Sequence, residues 1–248
     1  RTQMLLTLAV IALASVPLTV AEEAVCKSLV DGPALRFERD EKGQLLSEAH
    51  SVKIGERLEL TCTVFASPTA SIIWLHNGKE VQISEGPHEF LFDSRHRTLG
   101  ISMLKSRLVR DCATAEDAGE YSCIAMSPCS KAIKQSTKVT VTPGKAIACS
   151  AAPSITMYTD SRMEYPTVPI QLVCRSSHSM VGVHWVRVDD DDETITSPIE
   201  FAGSGFFRLP TGDLIVDPKL LGDDVATVTM RCFVGDDHVD STIMFMNE

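Results

Sequence analysis

Eight cysteines are the residues in this chain best suited to covalent chemistry, and an even count is what complete pairing into disulfides requires. No Cys-x-x-Cys occurs and the seven histidines show no zinc-ligand spacing, so thiol pairing is expected rather than a metal site. Two intervals are nearly equal. Cys62 to Cys123 spans 61 positions and Cys174 to Cys232 spans 58. A tryptophan follows the first cysteine of each pair, Trp74 in one and Trp185 in the other. The same Cys–Trp–Cys arrangement met twice marks two copies of one domain. A bridge over such an interval suits a two-sheet sandwich, where it crosses the core between strands of opposite sheets and an indole packs on the sulfurs. Cys62–Cys123 and Cys174–Cys232 are therefore the expected core pairs.

The elements that must carry these residues are short strands. Leu58, Leu60, Cys62 and Val64 alternate with polar or small residues, the period of a half-buried strand. Ile72 and Trp74 share one face of the next segment, Asn77-Gly78 predicts a tight turn, and Lys79 to Gln82 leads away as a further strand. In the second copy Ile170, Leu172 and Cys174 alternate, as do Val183 and Trp185, and later Val228, Met230 and Cys232. No long helical periodicity is present after the first twenty-one residues.

Asp117-Ala118-Gly119-Glu120-Tyr121-Ser122-Cys123 resembles the Asp-x-Gly-x-Tyr-x-Cys signature of the immunoglobulin superfamily. The resemblance implies an all-β chain of two tandem immunoglobulin-like sandwiches of I-set or C2-like type. It also implies a tyrosine corner, in which the Tyr121 hydroxyl bonds backbone a few residues upstream and Gly119 relieves the turn of a Cβ. The second copy departs from the signature, with Met230 at the tyrosine position and Ala226 at the aspartate position, while Gly212-Asp213-Leu214-Ile215-Val216 still reads as a turn into a strand.

Cys26, Cys112, Cys129 and Cys149 remain, and three pairings are open to them. In the sandwich topology Cys26 precedes the first strand at the end of the domain where Cys129 marks the last turn. Cys112, near the loop at the opposite end, lies closer to Cys149 in the connection to the second domain. Cys26–Cys129 and Cys112–Cys149 are the expected pairs, the alternative being that one or two of the four are free or bridge between molecules. The first pair would pin the N-terminal arm and the second would restrict the angle between the domains.

A chain of 248 residues, 44% hydrophobic and 23% charged, has length and apolar content for two ordinary cores. A net charge of −10 repels phosphate backbones and anionic lipid heads, so nucleic acid and bare membrane are excluded as partners. Met4 to Val20 is an uncharged apolar run with Arg1 ahead of it, closed by Thr19-Val20-Ala21 and then Glu22-Glu23. That is the layout of a cleaved secretory signal, and a bilayer span of about 20 apolar residues is longer. No second run of spanning length follows, so no membrane anchor is expected, and a secreted, extracellular location fits the paired cysteines. The expected division is a signal peptide at 1–21, an N-terminal arm at 22–33, a first domain at 34–143, a linker at 144–153 after the break at Thr142-Pro143-Gly144, and a second domain at 154–248.

Other chemistry reads weakly. Asp189 to Asp192 and Glu193 form an unbroken acidic run without the spaced ligands or glycine of a calcium loop, which makes it a solvated turn. Gly203-Ser204-Gly205 runs into Phe206-Phe207 and not into a helix, so it is no nucleotide loop. His178 and His184 read as ordinary polar residues, and no nucleophile elbow or protease motif is present. Asn77 and Asn247, the only asparagines, lack the following Ser or Thr for glycosylation. Lys131, Lys134 and Lys138 read as the defence of an exposed sheet edge. No enzyme, cofactor or metal is expected.

The organisation resembles that of the nematode zwei-Ig secreted proteins: a signal peptide, two such domains, extra cysteines and no anchor. The resemblance implies extracellular protein–protein binding in the service of holding neurons and axons in position, with a cell-surface receptor or a matrix protein as partner. The alternative comes from insect secreted proteins of similar plan, which implies capture of an insulin-like peptide hormone.

Overall fold

The computed structural model describes residues 20–39, 45–46, 49–87, 97–144, 152–178, 182–189, 192–199, 201, 203–221 and 225–247. It is nearly all β, as the alternating patterns require. The first half contributes β1 (Ala34–Glu38), β2 (His50–Lys53), β3 (Leu58–Ser67), β4 (Ser71–His76), β5 (Lys79–Ser84), β6 (Ile101–Arg110), β7 (Gly119–Ser127) and β8 (Ser130–Thr142). The second half contributes β9 (Ile155–Glu164), β10 (Ile170–Leu172), β11 (Cys174–Ser176), β12 (Val183–Val188), β13 (Thr196–Pro198), β14 (Phe206–Arg208), β15 (Leu214–Val216), β16 (Thr227–Val234) and β17 (Asp237–Phe245). One helix, α1 (Val20–Ser28), precedes them. Its nine residues carry too short a stretch for helical periodicity to show, and it starts inside the segment read as a signal peptide; residues 1–19 lie outside the described residues.

The strands form three sheets. A five-stranded sheet runs β2-β8-β7-β4-β5, a three-stranded sheet runs β10-β15-β14, and a nine-stranded sheet runs β1-β3-β6-β9-β17-β16-β12-β13 with β11 also paired to β9. The largest sheet therefore crosses from one half to the other. Its joint is the antiparallel pairing of β6 with β9, from Ile101↔Met163 to Ser106↔Met157. β9 then gives its other edge to β17, in parallel, and to β11. Each smaller sheet closes a sandwich against its half of the large one.

Alternation sends Leu58, Leu60, Cys62, Val64 and Ala66 inward from β3, all essentially inaccessible, to meet Ile72, Trp74, Cys123 and Ala125 of the opposite sheet. The second core gathers Ile170, Leu172, Cys174, Trp185, Met230 and Cys232 among others. The first core also contains Met157 and Val173 from the second half. This explains a departure from the expected alternation. Gln171 and Val173 are buried along with Ile170, Leu172 and Cys174, because the strand is interrupted at Val173, which turns toward the first core while Gln171 donates to the buried Asp213.

The expected tight turn after β4 has positive φ at both Asn77 and Gly78, 49° and 77°, the backbone that hairpin turns of this length demand. The lysine strand β8 is an edge for only part of its length. It pairs with β7 from Ser130 to Val139, and β2 covers its far edge from Val139 to Thr142, which among the described residues leaves the segment bearing Lys131, Lys134 and Lys138 open.

Candidate functional site

The two cores are bracketed alike. Trp74 lies opposite Cys123 in the β4–β7 ladder, and Trp185 opposite Cys232 in the β12–β16 ladder. Disulfides join Cys62 to Cys123 at 1.99 Å and Cys174 to Cys232 at 1.94 Å, and all four residues are fully buried. A third bridge joins Cys26 of α1 to Cys129 at the β7–β8 turn, closing a separation of 103 residues. Cys112 is disulfide-bonded; Cys149, its expected partner, lies outside the described residues.

The Tyr121 hydroxyl donates to the Asp117 carbonyl at 3.1 Å, and its ring stacks on His76 at a centroid distance of 4.2 Å. Asp117 also closes the preceding 3₁₀ turn by accepting from the Thr114 amide and hydroxyl at 2.7 and 2.9 Å. Gly119 has φ +144°, and a Cβ there would lie 2.3 Å from Asn77 Oδ1, the atom that accepts from the Glu120 amide. Burial raises the Tyr121 phenol above its ordinary value; Asp117 adds to this and Arg110 opposes it. In the second half Met230 fills the tyrosine position as plain core. The turn that leads into β15 is held by Trp185 Nε1, which donates to the Gly212 carbonyl at 2.8 Å, and by the fully buried Asp213. Asp213 accepts from Gln171 Nε2 at 2.8 Å, from the Cys174 amide at 3.4 Å and from Arg175 Nη1.

The joint between the halves carries most of the polar residues that the sequence did not announce. Glu164 is completely buried and accepts from Thr98 Oγ1, the amides of Leu99, Gly100 and Tyr165, and Arg162 Nη2, at 2.5–3.2 Å. On the outward side Arg107 donates to the Ile155 carbonyl at 2.8 Å and to Asp237 at 2.7 Å, while Lys105 meets Asp160 at 2.8 Å. α1 leads into the same region. Leu29 bridges to Thr98, and Val30 packs on the cluster of Leu99, Tyr165 and Val168.

Because ladder partners share a face, the outward surface of the large sheet can be traced across the joint. Arg36, Phe65, Met103, Ser161, Thr242 and Thr229 form one row from β1 to β16. The next row carries Ile101, Met163 and Met244. All of these are half-buried except the exposed Arg36, whose guanidinium lies 3.6 Å over the Phe65 ring. The result is a continuous strip of mixed aliphatic, aromatic and hydroxyl side chains longer than either half. Beside it, on the second half, a groove of about 530 Å³ is lined by Arg187, Asp189, Glu193, Thr229, Asp240 and Thr242.

The remaining sequence candidates serve local structure. In the acidic run Asp192 accepts from the Thr194 amide and hydroxyl at 2.9 and 2.6 Å, and those bonds hold its carboxyl below the ordinary value. Asp190 and Asp191 lie outside the described residues, and no group of three His, Cys, Asp or Glu that could hold a metal occurs among the described ones. Gly203-Ser204-Gly205 leads into β14. His178 bonds Ser177 Oγ at 2.9 Å, and His184 is exposed on β12. No helix among the described residues is long and apolar enough to cross a membrane.

Two bridged sandwiches fused through one sheet define a fold of immunoglobulin type. Residues 44–127 match the family model for the immunoglobulin domain. Zwei Ig domain protein zig-4 of Caenorhabditis elegans is 30% identical over 181 residues, covering 71% of this chain and 67% of that protein. Zwei Ig domain protein zig-3 of the same organism is 27% identical over 175 residues, covering 68% of this chain and 66% of that protein. The chain thus spans about two thirds of the length of these relatives. Among solved structures, the neural ectodermal development factor IMP-L2 superposes with a TM-score of 0.57 at 18% identity, covering 88% of this chain and 97% of that one, a likeness of fold. The chain belongs to the immunoglobulin superfamily and, within it, to the zwei Ig domain proteins.

Proposed function

We propose that this chain is a secreted binding protein, not an enzyme, that acts by extracellular protein–protein contact and helps to hold neurons and axons in position. In this reading residues 1–21 are a signal peptide, 22–33 an arm, 34–143 and 154–248 the two immunoglobulin domains, and 144–153 their connection. Cys112–Cys149 completes the bridges alongside the three pairs described above. Trp74, Trp185, Asp117, Gly119 and Tyr121 serve structure, and the contact surface is separate from them. The observation that carries the reading is the outward row from Arg36 to Thr229, which the β6–β9 joint makes continuous across both halves. A rigid strip of that length, mixing Phe65 and Met103 with hydroxyls, suits a folded protein surface better than a small molecule. Family membership supports the neural setting, and the disulfides support an oxidising compartment.

The test applies the tagged secreted protein to living nervous tissue of the animal that makes it. Labelling of neuronal surfaces or their matrix, lost in a Met103→Asp, Met163→Asp variant that still folds, together with axons drifting from position when the gene is removed, is the expected result. A protein that labels neither cells nor matrix would sink the proposal. Selective capture of an insulin-like peptide would replace it with the hormone-binding reading.

A further inference from the structure

The outward face of the five-stranded sheet is a second surface, on the other side of the first core from the strip just described. Register puts Lys134 of β8, Ile124 of β7, Ile73 of β4 and Ile83 of β5 in one row. One step along the strands the row is Ser136, Ser122, Leu75 and Glu80, and Lys138 beside Glu120 comes next. The aliphatic members do nothing for the core, which their strand neighbours Ile72, Trp74 and Cys123 fill. Ile83 is 54% exposed, and Met126 farther along β7 is 38% exposed. The borders have opposite sign, with Lys134 and Lys138 on β8 and Glu80 on β5. Lys138 and Glu80 make no ion pair among the described residues, and Lys134 approaches Glu120 only to 3.9 Å with both side chains more than half exposed.

We infer that this face binds a second copy of the chain, forming a symmetric face-to-face dimer whose two-fold axis runs parallel to the strands. Such an axis between β4 and β7 exchanges β8 with β5. Ile73 of one copy then falls on Ile124 of the other, burying the apolar row at the centre of the contact. Glu80 of each copy falls over Ser136 of the other, between Lys134 and Lys138. The contact is isologous, so each favourable pairing occurs twice. Face-to-face sheets pack about 10 Å apart, within reach of a lysine side chain. An axis across the strands would lay β8 on β8 and set lysines against lysines. The chain's net charge of −10 opposes association elsewhere on its surface, which favours the one patch where both signs are laid out in complement.

Sedimentation velocity on the full secreted chain in about 0.1 M salt, an ionic strength that leaves contact pairs effective, tests this. The expected result is a concentration-dependent monomer–dimer equilibrium. Ile83→Lys, at an exposed site that faces Lys134 of the other copy, weakens it at least tenfold with an unchanged melting curve. Lys134→Glu with Lys138→Glu weakens it as well, and adding Glu80→Lys restores it. A chain that is monomeric up to about 1 mM, where even the weakest specific contacts register, overturns the inference. So does a dimer that Ile83→Lys leaves intact, or one that the triple charge swap fails to restore.

Discussion

Trp74 holds Ser106: the indole Nε1 donates to the Ser106 hydroxyl at 3.0 Å, and that hydroxyl donates onward to the Thr156 carbonyl at 3.2 Å. The tryptophan that braces the first disulfide is thus two hydrogen bonds from the backbone of the second half. Ser106→Ala removes the relay and leaves a buried indole N–H without a partner. The expected cost is about 1–3 kcal/mol, read as a lower midpoint in urea unfolding.

Met157 belongs to the second half by sequence and to the first core by packing. Met157→Ala should therefore destabilise the first half, by about 2–5 kcal/mol. Val173 completes the same core from the same side. The two halves are expected to melt together in one calorimetric transition, and the first half expressed alone is expected to melt well below the whole chain. Two separate transitions, with Met157→Ala moving only the second, would contradict the shared core.

Glu164 collects Arg162 and three backbone amides in a site closed to water. Glu164→Ala takes a buried carboxylate partner from Arg162 and the acceptor from those amides, for an expected loss of about 3–5 kcal/mol. Glu164→Gln keeps the shape and removes the charge, and should cost less. Hydrogen exchange should show the Leu99 and Gly100 amides losing protection first, since both donate directly to this carboxylate.

Tyr121 supplies a pH dependence. Its phenol is raised by burial in the folded chain, so the unfolded chain releases that proton at lower pH. The stability it contributes is whole below the ordinary phenol value of about 10 and is lost as pH climbs through the higher folded value. Ultraviolet titration should show one phenol ionising late, and Tyr121→Phe should abolish that step. A variant whose titration matches the parent would remove this residue as the cause.

The bracketed cores were legible in the sequence because cysteine and tryptophan announce themselves by type, and because strands of period two expose the inward set. Tyr121 was legible for the same reason, through its fixed distance from Cys123. The joint was not. Nothing in Ile101 to Ser106 distinguishes a strand that ends a sandwich from one that receives a strand of the next, since ladder pairing is made by backbone atoms common to all residues. Nothing in the sequence sets Glu164 and Arg162 apart from surface charges, and Glu164 is closed off only where the second half meets Thr98, Leu99 and Gly100 of the first. Val173 shows the limit of periodicity: an apolar residue out of phase marks a second core only once that core is known to be in reach.

The β6–β9 ladder also bears on how many such units can be strung together. β9 spends one edge on the preceding half and the other on β17 and β11, so the strand that opens the second half has no edge left to offer. A further unit pairing edge to edge would have to use another sheet margin, β1 or β13 of the large sheet or β2, β5, β10 or β14 of the smaller ones. The seam is thus particular to these two halves, each strand of the joint being fully engaged on both edges.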